Sequence, residues 1–213
     1  MINYNSIKSN FITFFRYIRS DGKLLIYLPL CCLTLICCTL FQKEEFVLIE
    51  TNYGRIAFKL YADAAPQHVQ RFKELTREGF YDGVLFHRVI PGFVIQAGDP
   101  TTAEAKTKRW DYGKGGSGQT LEAEFNEHKH LRGALAMSRG AEPNSADCQW
   151  YICLQPQPHL DGYYTVFGEV IEGMAVVDSI AATDRDIYDV PNNPVRILKA
   201  RIVPIDSVRQ DIR

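Results

Sequence analysis

Clustered positive charge is missing from most of this chain. The 24 Lys and Arg are set against 25 Asp and Glu for a formal balance of −1, and Lys8, Arg16, Arg19 and Lys23 against Asp21 give the first 23 residues +3, leaving −4 for the rest. A mildly acidic body offers no electrostatic case for binding nucleic acid, which needs grouped Lys and Arg to neutralise phosphates. The one short basic run, Lys106, Lys108 and Arg109, reads as a solvated loop. Cysteine is scarce outside a single stretch. Cys31, Cys32, Cys37 and Cys38 share one apolar run, and only Cys148 and Cys153 remain. Their odd spacing on a strand points the two side chains to opposite faces, so a disulfide framework is excluded.

Several chemical signatures are absent as well. The run Gly113-Lys114-Gly115-Gly116-Ser117-Gly118 lacks the Gly-Lys-Ser/Thr ending of a phosphate cradle and is not set between a strand and a helix, so it reads as a loop. The histidines, His68, His87, His128, His130 and His159, include one close pair but no accompanying Cys or carboxylate with metal-ligand spacing. They read as solvated loop side chains, and neither a metal nor an organic cofactor is expected. No Gly-x-Ser-x-Gly elbow occurs, and Ser138 and Cys148 have no identifiable base, which argues against a hydrolase. There is no internal repeat.

What the chain does have begins with an apolar segment. At 213 residues it is long enough for one well-buried domain plus an appendage. Residues 24–41, LLIYLPLCCLTLICCTLF, carry no charge. As a helix rising ~1.5 Å per residue this segment spans ~27 Å, barely a bilayer. The basic stretch 1–23 precedes it and Lys43, Glu44 and Glu45 follow, so the positive-inside bias puts the N-terminus in the cytoplasm and the following domain on the periplasmic or outer side. Three fates fit: an uncleaved anchor, a cleaved secretory peptide, or a lipoprotein signal in which Leu35-Ile36-Cys37-Cys38 leads to a lipidated Cys38.

Beyond the segment, a domain over 45–206 and a tail over 207–213 are expected. Short alternating strands are predicted at 46–50 and 55–61, joined by Thr51-Asn52-Tyr53-Gly54, then at 85–89, 93–98, 134–138, 149–154, 165–171 and 195–204. Asp63 and Pro66 open a helix in which Val69, Phe72 and Leu75 recur at threefold spacing and which Gly79 ends. Met174, Val177 and Ile180 mark a second. Eight strands with two helices point to a closed antiparallel β-barrel, because closure removes exposed edges, although pattern alone leaves a sandwich open.

One run stands apart: Phe86-His87-Arg88-Val89-Ile90-Pro91-Gly92-Phe93-Val94-Ile95-Gln96-Ala97-Gly98-Asp99, an arginine among apolar neighbours on a strand pair turned by Pro-Gly. It resembles the signature of the cyclophilins, peptidyl-prolyl cis/trans isomerases. The resemblance continues through Gly133-Ala134-Leu135-Ala136-Met137-Ser138-Arg139, Pro143-Asn144-Ser145, Gln149-Trp150-Tyr151-Ile152 and Leu160-Asp161-Gly162 to Val166-Phe167-Gly168. It implies an eight-stranded barrel capped by two helices. It also implies that Arg88 is the catalytic arginine, with Phe93 and Gln96 joining it in catalysis, and that Phe93, Val94, Gln96, Tyr151 and Leu160 wall a proline-binding groove.

Ser138, Arg139 and Gln149 match positions that contact the peptide, with Arg139 standing in place of asparagine. Val94 stands where methionine is common and Tyr151 where phenylalanine is. His159 replaces the tryptophan of cyclosporin-sensitive members and Tyr164 a histidine, so weak cyclosporin binding is expected. The implied partners are proline-containing polypeptides and, through residues 24–41 or a lipidated Cys38, a membrane. The implied state is a monomer.

Overall fold

In a computed structural model the described residues are 17–20 and 23–26, as backbone, and 45–204. The chain divides into two compact units, Met1–Lys43 and Glu44–Arg213. In the first, β1 (Tyr17–Ser20) pairs antiparallel with β2 (Lys23–Ile26), Tyr17 opposite Ile26. The expected apolar helix therefore differs in its first three residues. Leu24 to Ile26 take part in a strand pair. Residues 27–44, which hold the rest of the apolar segment and the lipobox-like cysteines, and the tail beyond residue 204 lie outside the described residues. Among the described residues no helix is long and apolar enough to cross a membrane.

The second unit is built on β3 (Glu45–Thr51), β4 (Gly54–Leu60), β5 (Arg88–Ile90), β6 (Val94–Ala97), β7 (Ala134–Met137), β8 (Trp150–Cys153), β9 (Val166–Glu172) and β10 (Ile197–Pro204), with helices α1 (Pro66–Arg77) and α2 (Met174–Ala181). The strands form one antiparallel sheet in the order β10-β3-β4-β9-β7-β8-β6-β5. Its two edges meet. Leu85, just before β5, bridges Arg196, just before β10, with Phe86 N–H donating to Val195 O at 2.9 Å and Ile197 N–H to Val84 O at 2.9 Å. Backbone groups that an open edge would leave unpaired are satisfied, and the sheet closes into a barrel. The strand expected over 85–89 is split by this closure. Leu85 serves the seam, and regular pairing with β6 begins only at Arg88.

Alternation along the strands separates two apolar clusters. Ile95 and Ala97, Leu135 and Met137, and Trp150 and Ile152 point into the main core, where Trp150 meets Phe58, Phe72, Phe86 and Tyr81 edge-on at ring separations of 5.6–6.2 Å. Val94, Ala134, Ala136, Tyr151 and Cys153 point the other way into a second cluster with Leu160 and Val166. Cys148 and Cys153 are both free, and they lie in the two different clusters, as their odd spacing implies. Helix α1 contributes Val69, Phe72 and Leu75 to the main core and α2 contributes Val177 and Ile180.

Helix α1 has no cap from its own sequence, since Ala65 holds the N-cap position. Glu124 supplies one from a distant loop. Its carboxylate accepts the N–H groups of Gln67 and His68, each at 3.0 Å, and contacts His68 Nδ1 at 2.6 Å. Free first-turn N–H groups need acceptors, and a carboxylate there also complements the helix dipole.

Candidate active site

The register of the closed sheet sets one row of side chains across four strands, β5, β6, β8 and β7. Arg88 pairs with Gln96, Gln96 with Tyr151, and Tyr151 with Ala136. All four lie on the face turned away from the main core, because positions two apart on a strand share a face. The Pro91-Gly92 turn, with Gly92 at φ +74°, brings Phe93 back beside Arg88. The Arg88 guanidinium lies 5.8 Å from the Phe93 ring centre.

A polar chain holds the arginine. Arg88 Nη1 donates to Gln96 Oε1 at 3.3 Å, and Gln96 Nε2 donates to Ser138 Oγ at 3.2 Å and to Gln149 Oε1 at 3.0 Å. Gln149 Nε2 in turn donates to the carbonyls of Gly113 and Gly115 at 2.9 and 2.8 Å, which anchors the chain in the glycine-rich loop. A buried amide with both ends occupied cannot rotate freely, so the guanidinium faces the cavity from a fixed base.

That cavity, of about 150 Å³, is lined by Arg88, Phe93, Val94, Gln96, Ser138, Arg139, Tyr151, Leu160 and Tyr164. It opens beside a larger groove of about 670 Å³ that shares Arg88, Gln96, Ser138 and Arg139 and adds Gln149. Among the site residues expected from the sequence, His159 alone lines neither. It is exposed and stacks on Phe93 at 5.9 Å with the planes 19° apart, a rim position. Tyr164 meets Tyr151 edge-on at 6.0 Å, and the Arg139 guanidinium lies 4.6 Å over the Tyr164 ring.

Three histidines differ from the solvated reading. His68, His87 and His130 are buried, whereas His128 is exposed and stacks on Tyr61 at 4.0 Å. Burial pushes the His87 pKa down to about 4 against the opposing pull of Asp99, so this residue on the wall of the larger groove is neutral at pH 7. Burial also lowers His130 and His68. Arg109 is no solvated loop cation either. It donates to Asp186 Oδ2 at 2.8 Å and to the carbonyls of Pro191 and Asn192, tying down the loop whose Asp189 carbonyl accepts Val89 N–H in β5.

Nucleophilic chemistry has no footing here. The Ser138 hydroxyl is bonded to Gln96 and not to a base, and burial pushes the Cys148 thiol up to about 12. Among the described residues no group of three His, Cys, Asp or Glu side chains is disposed to hold a metal ion. The site combines a fixed cation, a small apolar cavity and a row of neutral hydrogen-bonding groups.

Residues 46–202 match the family described as cyclophilin type peptidyl-prolyl cis-trans isomerase/CLD. A probable peptidyl-prolyl cis-trans isomerase of Brucella suis is 40% identical over 163 residues, covering 75% of this chain and 83% of that protein. Peptidyl-prolyl cis-trans isomerase B of Bacillus subtilis is 42% identical over 145 residues, covering 67% and 94%. A crystal structure of a Cryptosporidium parvum cyclophilin type isomerase, determined in the presence of the dipeptide Ala-Pro, aligns with a TM-score of 0.68 at 32% identity over 74% of this chain and 98% of that one. The chain belongs to the cyclophilin-type peptidyl-prolyl cis-trans isomerase family, enzymes of class EC 5.2.1.8 that act on proline-containing peptides.

Proposed function

We propose that this domain accelerates rotation about X-Pro bonds by binding the twisted transition state through Arg88. Peptide-bond rotation costs ~18–20 kcal/mol because resonance is lost, and unaided X-Pro exchange takes tens to hundreds of seconds. At the twisted geometry the prolyl nitrogen regains its lone pair and accepts a hydrogen bond that the planar ground state cannot. A guanidinium held by Gln96 and facing that nitrogen favours the twisted form, and such differential binding is catalysis without a covalent step.

Phe93, Val94, Tyr151 and Leu160 hold the pyrrolidine ring while the preceding carbonyl turns, and they keep water from competing for Arg88. Ser138, Arg139 and Gln149 serve the flanking peptide, with Tyr164 and His159 at the rim. Lowering the barrier by ~7 kcal/mol gives a rate gain on the order of 10⁵. The observation that carries this reading is the cross-strand row, which sets Arg88 beside a cavity walled by aromatic and aliphatic side chains.

A protease-coupled assay on an Ala-Pro peptide tests it. Acceleration above the spontaneous rate supports the enzyme reading, and peptide binding without acceleration leaves a binding module instead.

For place of action, we propose folding assistance to proteins emerging on the outer side of a membrane. The uncharged run 24–41 behind Lys8, Arg16, Arg19 and Lys23 supports a tether there. The domain works as a monomer in this reading. Mass spectrometry of protein extracted from membranes separates an intact N-terminus, which means an anchor, from a diacylglycerol-modified Cys38, which means a lipoprotein. A soluble chain trimmed behind the apolar run would contradict the tether.

A further inference from the structure

Arg88 and Arg139 share an unusual electrostatic position. Both line the small cavity and the larger groove, and among the described residues neither has a carboxylate partner within 4 Å. The other cations of the larger groove are neutralised locally, Arg109 by Asp186 and Lys114 by Asp111, each at 2.8 Å. Its single carboxylate, Asp147, is occupied by the backbone N–H groups of Ser117 and Gly118 and by the Ser117 hydroxyl. Two uncompensated guanidiniums therefore converge on the groove of a chain whose residues beyond 23 balance to −4.

Arg139 is built to present its charge rather than to swing in solvent. Its Nε donates to Tyr163 O at 3.0 Å and its Nη1 to the carbonyls of Gly140 and Ala141 at 2.9 and 3.0 Å, while one face covers the Tyr164 ring. Nη2 makes no hydrogen bond among the described residues, which leaves one edge of the fork for a ligand. A guanidinium held by three carbonyls and a ring has already lost its rotamer freedom, so a carboxylate gains the contact at reduced entropic cost.

We propose that Arg139 is a specificity-determining residue that selects clients carrying an acidic side chain, aspartate or glutamate, within the two residues before or the one residue after the isomerised proline. The inference rests on the reading that the small cavity holds the prolyl ring. With the ring there and the chain passing Ser138 and Arg139, a neighbouring carboxylate reaches the free edge of Arg139, and the positive potential of Arg88 adds to its attraction. A neutral side chain gains nothing at this edge, and a lysine meets like charge.

The test measures kcat/KM by two-dimensional exchange NMR on proline peptides with Glu, Gln or Lys placed in turn at each of those three positions. The expected result at one position is a Glu over Gln preference of about fivefold, the size a half-exposed charge pair carries, with Lys below Gln. Raising salt to about 0.5 M should shrink that preference through screening. In Arg139→Gln the Glu/Gln ratio should fall to about 1, whereas Arg139→Lys should keep part of it.

A Glu/Gln ratio near 1 at all three positions in an active wild-type protein overturns the inference and leaves the isomerase reading standing. A preference that survives Arg139→Gln removes Arg139 from the role. A wild-type protein that accelerates no peptide removes the isomerase reading and this inference together.

Discussion

The Tyr151 hydroxyl lies 3.0 Å from Nε2 of the buried His130, and Nδ1 of that histidine lies 3.0 Å from the Asp161 carboxylate. Burial keeps His130 neutral, so Nε2 is free to accept from Tyr151 while Nδ1–H donates to Asp161. Asp161 directly follows Leu160, and the relay thereby ties two walls of the small cavity together behind the apolar surface they present. Where phenylalanine is common, this chain has a tyrosine whose polar end is turned away from the cavity.

Tyr151→Phe should keep isomerase activity within about threefold, because the ring that faces the cavity is unchanged. It should cost about 1–2 kcal/mol of stability, since His130 Nε2 is left buried without a donor. Urea denaturation with activity measured in parallel checks both. A large loss of activity with no loss of stability would mean that the hydroxyl faces substrate.

Glu124→Ala removes the acceptor for two N–H groups of α1 and for His68. A destabilisation of about 2–3 kcal/mol is expected, with Glu124→Gln milder because one oxygen acceptor stays. Turnover at low temperature should be unaffected, as Glu124 lines neither cavity. Equal stability of all three proteins in urea would refute the capping role.

Acid should destabilise the domain in two stages. His68, His87 and His130 have folded pKa values below the ordinary 6.5, so as pH falls the unfolded chain takes up protons first. Their contribution is complete above about pH 6.5 and is lost on the way down, for His87 until about pH 4, at a cost on the order of 3 kcal/mol. Asp161, held below the usual carboxylate range by the backbone and side chain of His130, contributes above that range and loses its share only at lower pH. Thermal unfolding between pH 7 and 4 should show a falling Tm, and His87→Leu should flatten the slope. A flat wild-type profile would contradict the burial of these rings.

Cyclosporin affinity reports on the rim. If His159 stands where sensitive members carry tryptophan, the smaller ring forfeits roughly 50–80 Å² of apolar contact, about 1–2 kcal/mol at ~25 cal/mol per Å². His159→Trp should therefore bind cyclosporin about ten- to thirtyfold more tightly, while peptide turnover changes far less, since His159 touches Phe93 but lines neither cavity. Equal affinity would remove His159 from the rim.

Strand positions were legible because alternation and Pro-Gly punctuation are local. All eight domain strands lie where the pattern puts them, within a few residues, and α1 ends beside Gly79 at φ +72°. Closure of the barrel was legible only as a plausible answer to the edge problem, because the Leu85–Arg196 seam joins segments more than a hundred positions apart. Phe93, Val94, Tyr151 and Leu160, which the family motifs single out, line one cavity, and the row from Arg88 to Ala136 explains physically why those motifs meet.

What escaped the sequence were the partners of polar groups. Nothing local links Glu124 to α1, Arg109 to Asp186 or His130 to Tyr151, and a histidine's burial depends on contacts far along the chain. A tyrosine in place of phenylalanine was the one available hint that a buried acceptor waits behind the cavity.

The role proposed for Arg88, binding the twisted prolyl bond, is tested by the kcat/KM of Arg88→Ala on an Ala-Pro peptide beside wild type. Arg88 is half-exposed and outside both apolar clusters, so the variant should fold with an unchanged far-ultraviolet circular dichroism spectrum. Activity should drop tenfold or more, in line with the ~1.5–3 kcal/mol of a charged hydrogen bond. A folded Arg88→Ala protein with full activity would contradict the account.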